Sequence, residues 1–115
     1  MTHTTADFIQ MIKDKYDLPS RYKVAQLLDK TDAQVASWAK GRTTFDDETA
    51  LIIADKLEID PAYIITCCQI ERAVKQGKFG AAGVYRRILQ RLEMTATTGA
   101  AAMFAVFLFN NLPPF

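Results

Sequence analysis

Apolar residues recur every three or four positions along most of this chain, which is the period of an amphipathic α-helix. After Ser20, Val24 and Leu28 lie on one such face, and the serine hydroxyl can accept a hydrogen bond from a free amide of the first turn. The pattern predicts a helix over about residues 21–28. Asp29 then interrupts the apolar face, so we expect the helix to end there.

A second short helix is predicted directly after a tight turn. Thr31 offers a capping oxygen, and Val35 and Trp38 resume an inward-facing stripe three residues apart. This helix is expected over about residues 32–40 and should end at Gly41. Two helices joined by so short a turn can share one core when they cross at a steep angle.

Helices are also predicted before and after this pair. A stretch that begins near Thr5 and stops before Pro19 is typical of a packing helix. Its expected core-facing residues are Phe8, Ile9, Ile12 and Tyr16. After a loop over residues 43–46, Asp47 can cap a fourth helix. The apolar residues that this helix carries are Leu51, Ile52, Ala54 and Leu57.

The fifth predicted helix has an apolar surface wider than one packing face. Asp60 can cap it, Pro61 suits its first position, and it extends to Gly77. The apolar residues that fall on its different sides are Ile64, Ile65, Cys67, Cys68 and Val74. A second apolar face needs a second partner, and another copy of the protein is one candidate.

Beyond the fifth helix the composition changes twice. Three glycines within residues 77–83 predict a hinge, because glycine weakens a helix. A short basic amphipathic helix is expected next, with Val84, Ile88 and Leu92 as its apolar stripe. The expected parts of the chain are a domain over residues 1–77, a hinge and basic helix over residues 78–94, and an uncharged hydrophobic tail over residues 95–115.

The tail admits two interpretations. Its unbroken apolar run, residues 100–109, is ten residues long, whereas a helix needs roughly 20 to span a bilayer. Threonines and Gly99 could lengthen the run, and the three arginines before it would then be held on the inner side of the membrane. The short run favours the alternative, an amphipathic tail packed on the fifth helix or on a second subunit.

Charge is distributed unevenly along a chain whose formal net charge is only +1. Residues 20–44 hold five basic and two acidic side chains, whereas residues 45–60 hold six acidic ones and a single lysine, Lys56. A near-neutral total argues against a nonspecific nucleic-acid coat. The first segment is locally positive, and the second is expected to face away from phosphates.

The two cysteines are adjacent, Cys67 and Cys68, on the fifth predicted helix. A disulfide between them would be strained there, and no secretion signal precedes them. We therefore expect buried, reduced thiols in a cytoplasmic protein. No metal site or cofactor is expected, because the only histidine, His3, stands near a terminus that is expected to fray.

Residues 20–73 resemble the Cro/C1-type helix-turn-helix family of phage and bacterial regulators. The matching residues of the two short helices and their turn are Ala25, Thr31, Val35, Trp38 and Gly41. Those that match the family's fourth helix are Leu51, Ala54, Leu57 and Ile59. A narrower similarity, to phage-related proteins found with filamentous phages, involves residues 60–63, Cys67 and residues 71–73.

Two positions depart from the family pattern. Asp29 stands where the family usually has a turn glycine, so left-handed backbone is expected there, a conformation that Asp tolerates better than most residues. Lys30 stands where the family usually buries an apolar residue. Its stem can still pack while its amine reaches water.

The resemblance implies both a fold and a function. The expected fold is all-α, a compact five-helix bundle like that of Cro/C1 repressors, with a short C-terminal helix and the hydrophobic tail added. The implied function is sequence-specific binding of double-stranded DNA by a phage repressor or Cro-like transcriptional regulator. One subunit makes too few contacts for tight binding, so a homodimer on a palindromic operator is expected.

The second short helix supplies the candidate DNA-contacting surface, because the side opposite Val35 and Trp38 is small and polar. The residues expected to meet base edges are Thr31, Ala33, Gln34 and Ser37. Those expected to meet phosphates are Ser20, Arg21, Tyr22, Lys23, Lys40 and Arg42. Asp32 would be repelled by phosphates unless it accepts a hydrogen bond from cytosine or caps the helix, and the capping role is favoured. Trp38 is expected in the core rather than stacked on a base.

The sequence also bears on two other classes of function. The alternative is a membrane-tethered or protein-binding helical interaction module of phage origin, because related five-helix domains bind proteins and because the tail is apolar. An enzyme has little support. The sequence offers no paired histidine and acid, no glycine-rich phosphate loop and no metal-ligand spacing, so no catalytic residue is assigned.

Overall fold

Six helices and no strand make up the part of the chain that the computed structural model describes, residues 3–95. The helices are α1 (Thr5–Lys15), α2 (Arg21–Leu28), α3 (Asp32–Ala39), α4 (Asp47–Leu57), α5 (Pro61–Lys75) and α6 (Phe79–Thr95). The predicted all-α class is confirmed over this range. Within it, no helix is long and apolar enough to cross a membrane. Apart from Thr95, which ends α6, the hydrophobic tail lies outside the described range, and so do both interpretations of it.

The two short helices form where the sequence predicts them. Ser20 Oγ accepts a hydrogen bond from the amide of Lys23 at 3.3 Å, which caps α2. Thr31 caps α3, and its Oγ1 accepts from the amide of Gln34 at 3.1 Å. The helix α3 ends one residue earlier than expected, with Lys40 as its C-cap.

Left-handed residues terminate the first five helices. Asp29 has φ 54° and ψ 47°, so the expectation for this departure from the family pattern is confirmed. Asp17 and Glu58 adopt the same positive φ after α1 and α4, and Gly41 and Gly77 do so after α3 and α5. At each end an amide then bonds to the carbonyl five residues earlier, which satisfies an orphan carbonyl of the last turn.

Aromatic rings from four segments form the centre of the core. Trp38 of α3 meets Phe45 edge-on, with 5.1 Å between ring centroids, and Phe8 of α1 meets Tyr63 of α5 at 6.2 Å. Val35, also on α3, is completely buried. Because α1, α2 and α4 pack around these rings, the inner side of α3 is fixed against the rest of the domain.

Several predicted core and cap residues are corrected. Tyr16 does not share the core face of α1, because it stands after the last helical turn, where it donates a hydrogen bond to the carbonyl of Lys56. The cap of α4 is Asp46 rather than Asp47, and its carboxylate accepts from the amide of Thr49 at 2.7 Å. Leu51 is 49% exposed, and the neighbouring Ile53 is buried instead.

The predicted hinge is largely helical. Only Gln76, Gly77 and Lys78 separate α5 from α6, because Gly80 and Gly83 both lie inside α6. The helix α6 packs along α5 and thus supplies within the chain the second partner that the wide apolar surface of α5 requires.

The stripe predicted for α6 faces outward. Up to Glu93, the residues that α6 buries are Ala82 and Leu89, with Tyr85 partly buried between them. Val84 and Ile88 are 57% and 43% exposed. The helix carries two apolar stripes of similar spacing, and periodicity alone does not distinguish the one that packs on α5.

The expectation that His3 stands in a frayed segment is wrong. Its ring is buried, with Nδ1 2.7 Å from the hydroxyl of Tyr63. Cys67 and Cys68 are free and buried, as expected, and burial raises the pKa of Cys67 to about 12 and that of Cys68 to about 11. Both thiols are therefore protonated near neutral pH.

Candidate nucleic-acid interface

The outward side of α3 is small, polar and held in one orientation. Ala33 and Gln34 are exposed on it, and Ser37 is half-buried one turn later. Thr31 is exposed at the amino end of the helix. Val35 and Trp38 on the opposite side are buried, so this surface cannot rotate without opening the core.

A capping box uses part of the Gln34 side chain. Its Oε1 accepts from the backbone amide of Thr31 at 3.0 Å, while Thr31 Oγ1 accepts from the amide of Gln34. The carboxamide nitrogen is the part of this side chain that the box does not use. Gln34 therefore presents a hydrogen-bond donor, and a two-bond contact to adenine would first require release of Oε1 from the cap.

The capping role expected of Asp32 is wrong. Thr31 is the cap, and Asp32 is the first residue of α3, where it is exposed. A carboxylate in the first turn is favoured by the partial positive charge of the helix amino terminus. Asp32 thus stabilises α3 from within its first turn.

The loop after α3 adds a hydroxyl that the sequence prediction missed. Ser37 Oγ lies 2.8 Å from Thr43 Oγ1, so the two side chains form one polar unit. Thr43 is exposed on the loop and stands six residues after Ser37. Helical periodicity does not extend from Ser37 into the loop that holds Thr43. The contact between the two side chains therefore depends on the conformation of that loop.

Exposed cations lie at two ends of the α2–α3 pair. Arg21 and Lys23 are in the first turn of α2, with Tyr22 58% exposed between them. Lys40 and Arg42 are exposed directly after α3. Ser20 is half-buried because its hydroxyl caps α2. Its contribution to anion binding would therefore come through the backbone rather than through a free side chain.

Two cations of α5 hold the loop that follows α3. Arg72 donates from Nε to Thr44 Oγ1 at 2.7 Å and from its guanidinium to the carbonyl of Phe45. Lys75 donates from Nζ to the carbonyl of Gly41 at 2.7 Å. These contacts join positions about thirty residues apart in sequence, so no local pattern could have predicted them.

An open cleft of about 350 Å³ separates this loop from the end of α5. The residues that line it are Arg42, Thr43, Thr44, Asp46, Arg72, Lys75 and Gln76. Asp46 remains ionised within it, since hydrogen bonds from the side chain and the backbone of Thr49 lower its pKa. The cleft is therefore mixed in charge, with its cations next to the carboxyl end of α3.

The candidate interface combines the outward side of α3 with exposed cations at the start of α2 and directly after α3. Comparison of this chain with protein-family models, with curated proteins and with solved structures found no match. Among the described residues, no group of three or more histidine, cysteine or acidic side chains could hold a metal ion.

Proposed function

We propose that this protein is a sequence-specific DNA-binding transcriptional regulator that acts as a homodimer on a palindromic operator. The observation that carries the proposal is the anchoring of α3: Val35 and Trp38 are buried while the opposite face is exposed and polar. A major groove admits one such helix. In this proposal α1 to α5 form a Cro/C1-like bundle, and α2 and α3 are its helix-turn-helix.

In this proposal, small polar and apolar groups at α3 contact the base edges. The carboxamide nitrogen of Gln34 donates to an acceptor on a purine or thymine edge, and Ala33 contacts a thymine methyl group. The paired hydroxyls of Ser37 and Thr43 can donate or accept, which suits either strand. Thr31 contacts a base at the end of the DNA site that lies nearest the amino end of α3.

Phosphates are bound at the two flanks. Arg21, Tyr22 and Lys23 meet one strand together with the backbone at Ser20, because the amino end of α2 carries a partial positive charge. Lys40 and Arg42 meet phosphates at the other end of the recognition helix. Contacts of this kind position α3 without specifying sequence.

Selection of bound sites from a random duplex library, with the full chain, tests the proposal. We expect an enriched palindrome whose half-sites lie roughly 10 base pairs apart, since two α3 helices must enter successive major grooves. Absence of any enriched sequence, at low and at physiological salt, would contradict the proposal and favour a protein-binding module.

The salt dependence of binding to the selected site tests the phosphate contacts. Each neutralised phosphate contributes roughly −0.9 to the slope of log affinity against log salt. Arg42→Ala should therefore make the slope shallower by about one for each subunit, with similar losses on every sequence. Lys56→Ala, which removes the single lysine of the acidic segment, is the matched control and should leave the slope unchanged.

A further inference from the structure

A second cleft, of about 430 Å³, lies between the start of α1 and the helices α5 and α6. Sites for small molecules have volumes of roughly 300–1,000 Å³, so this cleft is large enough to hold one. Its apolar wall is formed by Ile70 and Val74 of α5, and Val74 is 40% exposed. None of the residues that line the cleft has been placed against DNA in the proposed function.

The charged side chains of the cleft leave an excess of positive charge. Glu71 Oε1 accepts hydrogen bonds from the amide and the hydroxyl of Thr5 at 2.8 and 2.9 Å. Its other carboxylate oxygen lies 3.3 Å from Lys75 Nζ. Glu71 and Lys75 therefore balance each other, and the exposed Arg86 of α6 is the cation that remains in the lining. A ligand with a negative charge is favoured.

His3, which lines the cleft just before α1, has one ring nitrogen without a partner. The side chain is 3% exposed, and Nδ1 lies 2.7 Å from the hydroxyl of Tyr63. The two nitrogens of an imidazole point in different directions, so Nε2 faces away from Tyr63, and no described group bonds to it. A buried polar atom is costly unless it is hydrogen-bonded. When the Tyr63 hydroxyl donates to Nδ1, Nε2 carries the ring proton and is a donor.

We infer that this cleft binds a small carboxylic acid with a hydrocarbon body, in its ionised form. The carboxylate bonds to the guanidinium of Arg86 and accepts from Nε2 of His3, while the hydrocarbon body covers Val74. A carboxylate suits two donors because it accepts through two oxygens. An amine would be repelled by Arg86, and a pure hydrocarbon would leave Nε2 unbonded.

Occupation of the cleft would also affect the end of α3. Gly41 lines the cleft, and Lys75 Nζ donates to the Gly41 carbonyl at 2.7 Å. A negative charge in the cleft attracts the ammonium of Lys75 away from that carbonyl and so loosens the loop after α3. The acid would then be an effector that weakens DNA binding. This consequence rests on the proposed function, whereas binding of the acid does not.

Titration of the full chain with octanoate, without DNA, tests the site. Octanoate has a carboxylate and a short hydrocarbon body, and 1-octanol has the same body without the charge. We expect octanoate to bind with a Kd below roughly 1 mM. The affinity of 1-octanol should be lower by about tenfold or more, because the charge-assisted hydrogen bonds are lost. His3 is the only histidine, so the NMR signals of its ring are unambiguous and should shift as the site fills.

A pair of arginine variants shows whether octanoate binds in this cleft. Arg86→Gln should weaken octanoate by about tenfold or more and leave the affinity for 1-octanol unchanged. Arg87→Gln is the matched control: it makes the same change in charge at the next exposed residue of α6, which does not line the cleft, and should bind octanoate like the wild-type chain. The apolar tail is the same in all three proteins, and circular dichroism verifies that each is helical.

Three results would overturn the site. One is the absence of saturable octanoate binding up to roughly 1 mM. Another is an affinity for octanoate that equals that for 1-octanol and is unchanged in Arg86→Gln. The third is saturation that leaves the ring signals of His3 unshifted.

The effector role is tested separately, by adding octanoate to the complex with a selected operator. We expect weaker DNA binding by the wild-type chain and no change for Arg86→Gln. Unchanged binding by the wild-type chain would overturn the effector role alone. Because the titration contains no DNA, a chain that binds octanoate but selects no sequence retains the site and contradicts only the proposed function.

Discussion

At the scale of single residues, His3 shows how a residue near the end of the sequence becomes part of the core. Its ring lies between Phe8 and Tyr63, with centroid distances of 5.8 and 6.0 Å. Nδ1 contacts the Tyr63 hydroxyl, while Nε2 is buried and has no hydrogen-bond partner among the described residues. Protonation of both ring nitrogens would place a charge away from water, and burial accordingly lowers the pKa of His3.

Folding stability should therefore depend on pH through His3. Its pKa in the folded chain lies below the unfolded value of 6.5, so the unfolded chain binds the extra proton first as the pH falls. The contribution of His3 to the free energy of unfolding is fully present above pH 6.5. It declines as the pH falls below that value, until His3 is protonated in the folded chain as well. The negative charges of Asp7 and Glu93 raise the pKa of His3 and so reduce the effect of burial.

Denaturant unfolding of the wild-type chain and of His3→Asn, between about pH 7.5 and pH 5, measures this contribution. We expect the variant to be less stable near neutral pH, because a buried ring is lost, but to lose less stability on acidification. Both proteins have the same carboxylates, so the contribution of these groups to the pH dependence of stability cancels in the comparison. Equal losses in the two proteins would show that His3 does not titrate as the structure indicates.

At the scale of helices, Gly77 and Gly83, which lie before and within the start of α6, differ in backbone conformation. Gly77 has φ 70°, a left-handed conformation that side chains disfavour. Gly83 lies within α6 at an ordinary helical φ, and a Cβ added there would meet no atom within 4 Å. The same residue type thus ends one helix and weakens the interior of the next.

Opposite changes in stability should follow from the two alanine substitutions. Gly83→Ala should stabilise the chain by about 0.5–1 kcal/mol, since alanine loses less backbone entropy in a helix. Gly77→Ala should destabilise it by roughly 1–2 kcal/mol, because a Cβ is strained at positive φ. Thermal unfolding measures both. A stabilising Gly77→Ala or a destabilising Gly83→Ala would mean that residues 77–83 act as the flexible hinge that composition suggests.

The contrast between α3 and α6 shows how far the sequence predicts the fold. The capping residues Ser20 and Thr31 are local signals, and the helices that they begin form within one residue of the predicted bounds. In α6 the stripe through Val84 and that through Leu89 have the same period, so only contact with α5 decides between them. Local chemistry predicts where a helix starts, whereas its buried side depends on its partner.

At the scale of the whole molecule, α6 is part of the folded unit rather than an appendage. Leu89 is only 3% exposed, and its contacts close the core cluster on the side of α5. Leu89→Ala should therefore cost about 2–5 kcal/mol of unfolding free energy, because it opens a cavity between the two helices. Phe79→Ala, at a 67% exposed position of the same helix, should change stability by less than about 0.5 kcal/mol.

Chemical denaturation of these two variants decides whether residues beyond Gly77 contribute to folding. If Leu89→Ala and Phe79→Ala changed the free energy of unfolding equally, α6 would not be packed in solution and residues 1–77 would fold alone. The predicted outcome explains why DNA binding and self-association are best measured on the full chain: removal of α6 would uncover the apolar side of α5.

The candidate interface is predictable from sequence only where one helix supplies it. Gln34 and Ser37 follow from the position of Val35 and Trp38, since the opposite side of a short helix is determined by its buried side. Thr43 and Lys75 do not follow, because a loop hydrogen bond and a contact from α5 bring them to the end of α3. Such long-range contacts require the folded chain.

The most direct test of DNA reading by α3 is to repeat the site selection with Gln34→Glu and with Arg42→Ala beside the wild-type chain. Glutamate can keep the cap through a side-chain oxygen, but it replaces the donor that faces the groove. We predict that Gln34→Glu changes the preferred base at one position of each half-site, worth about 1–3 kcal/mol, whereas Arg42→Ala recovers the wild-type sequence at lower affinity. The same enriched sequence from all three proteins, or none from any, would contradict the account.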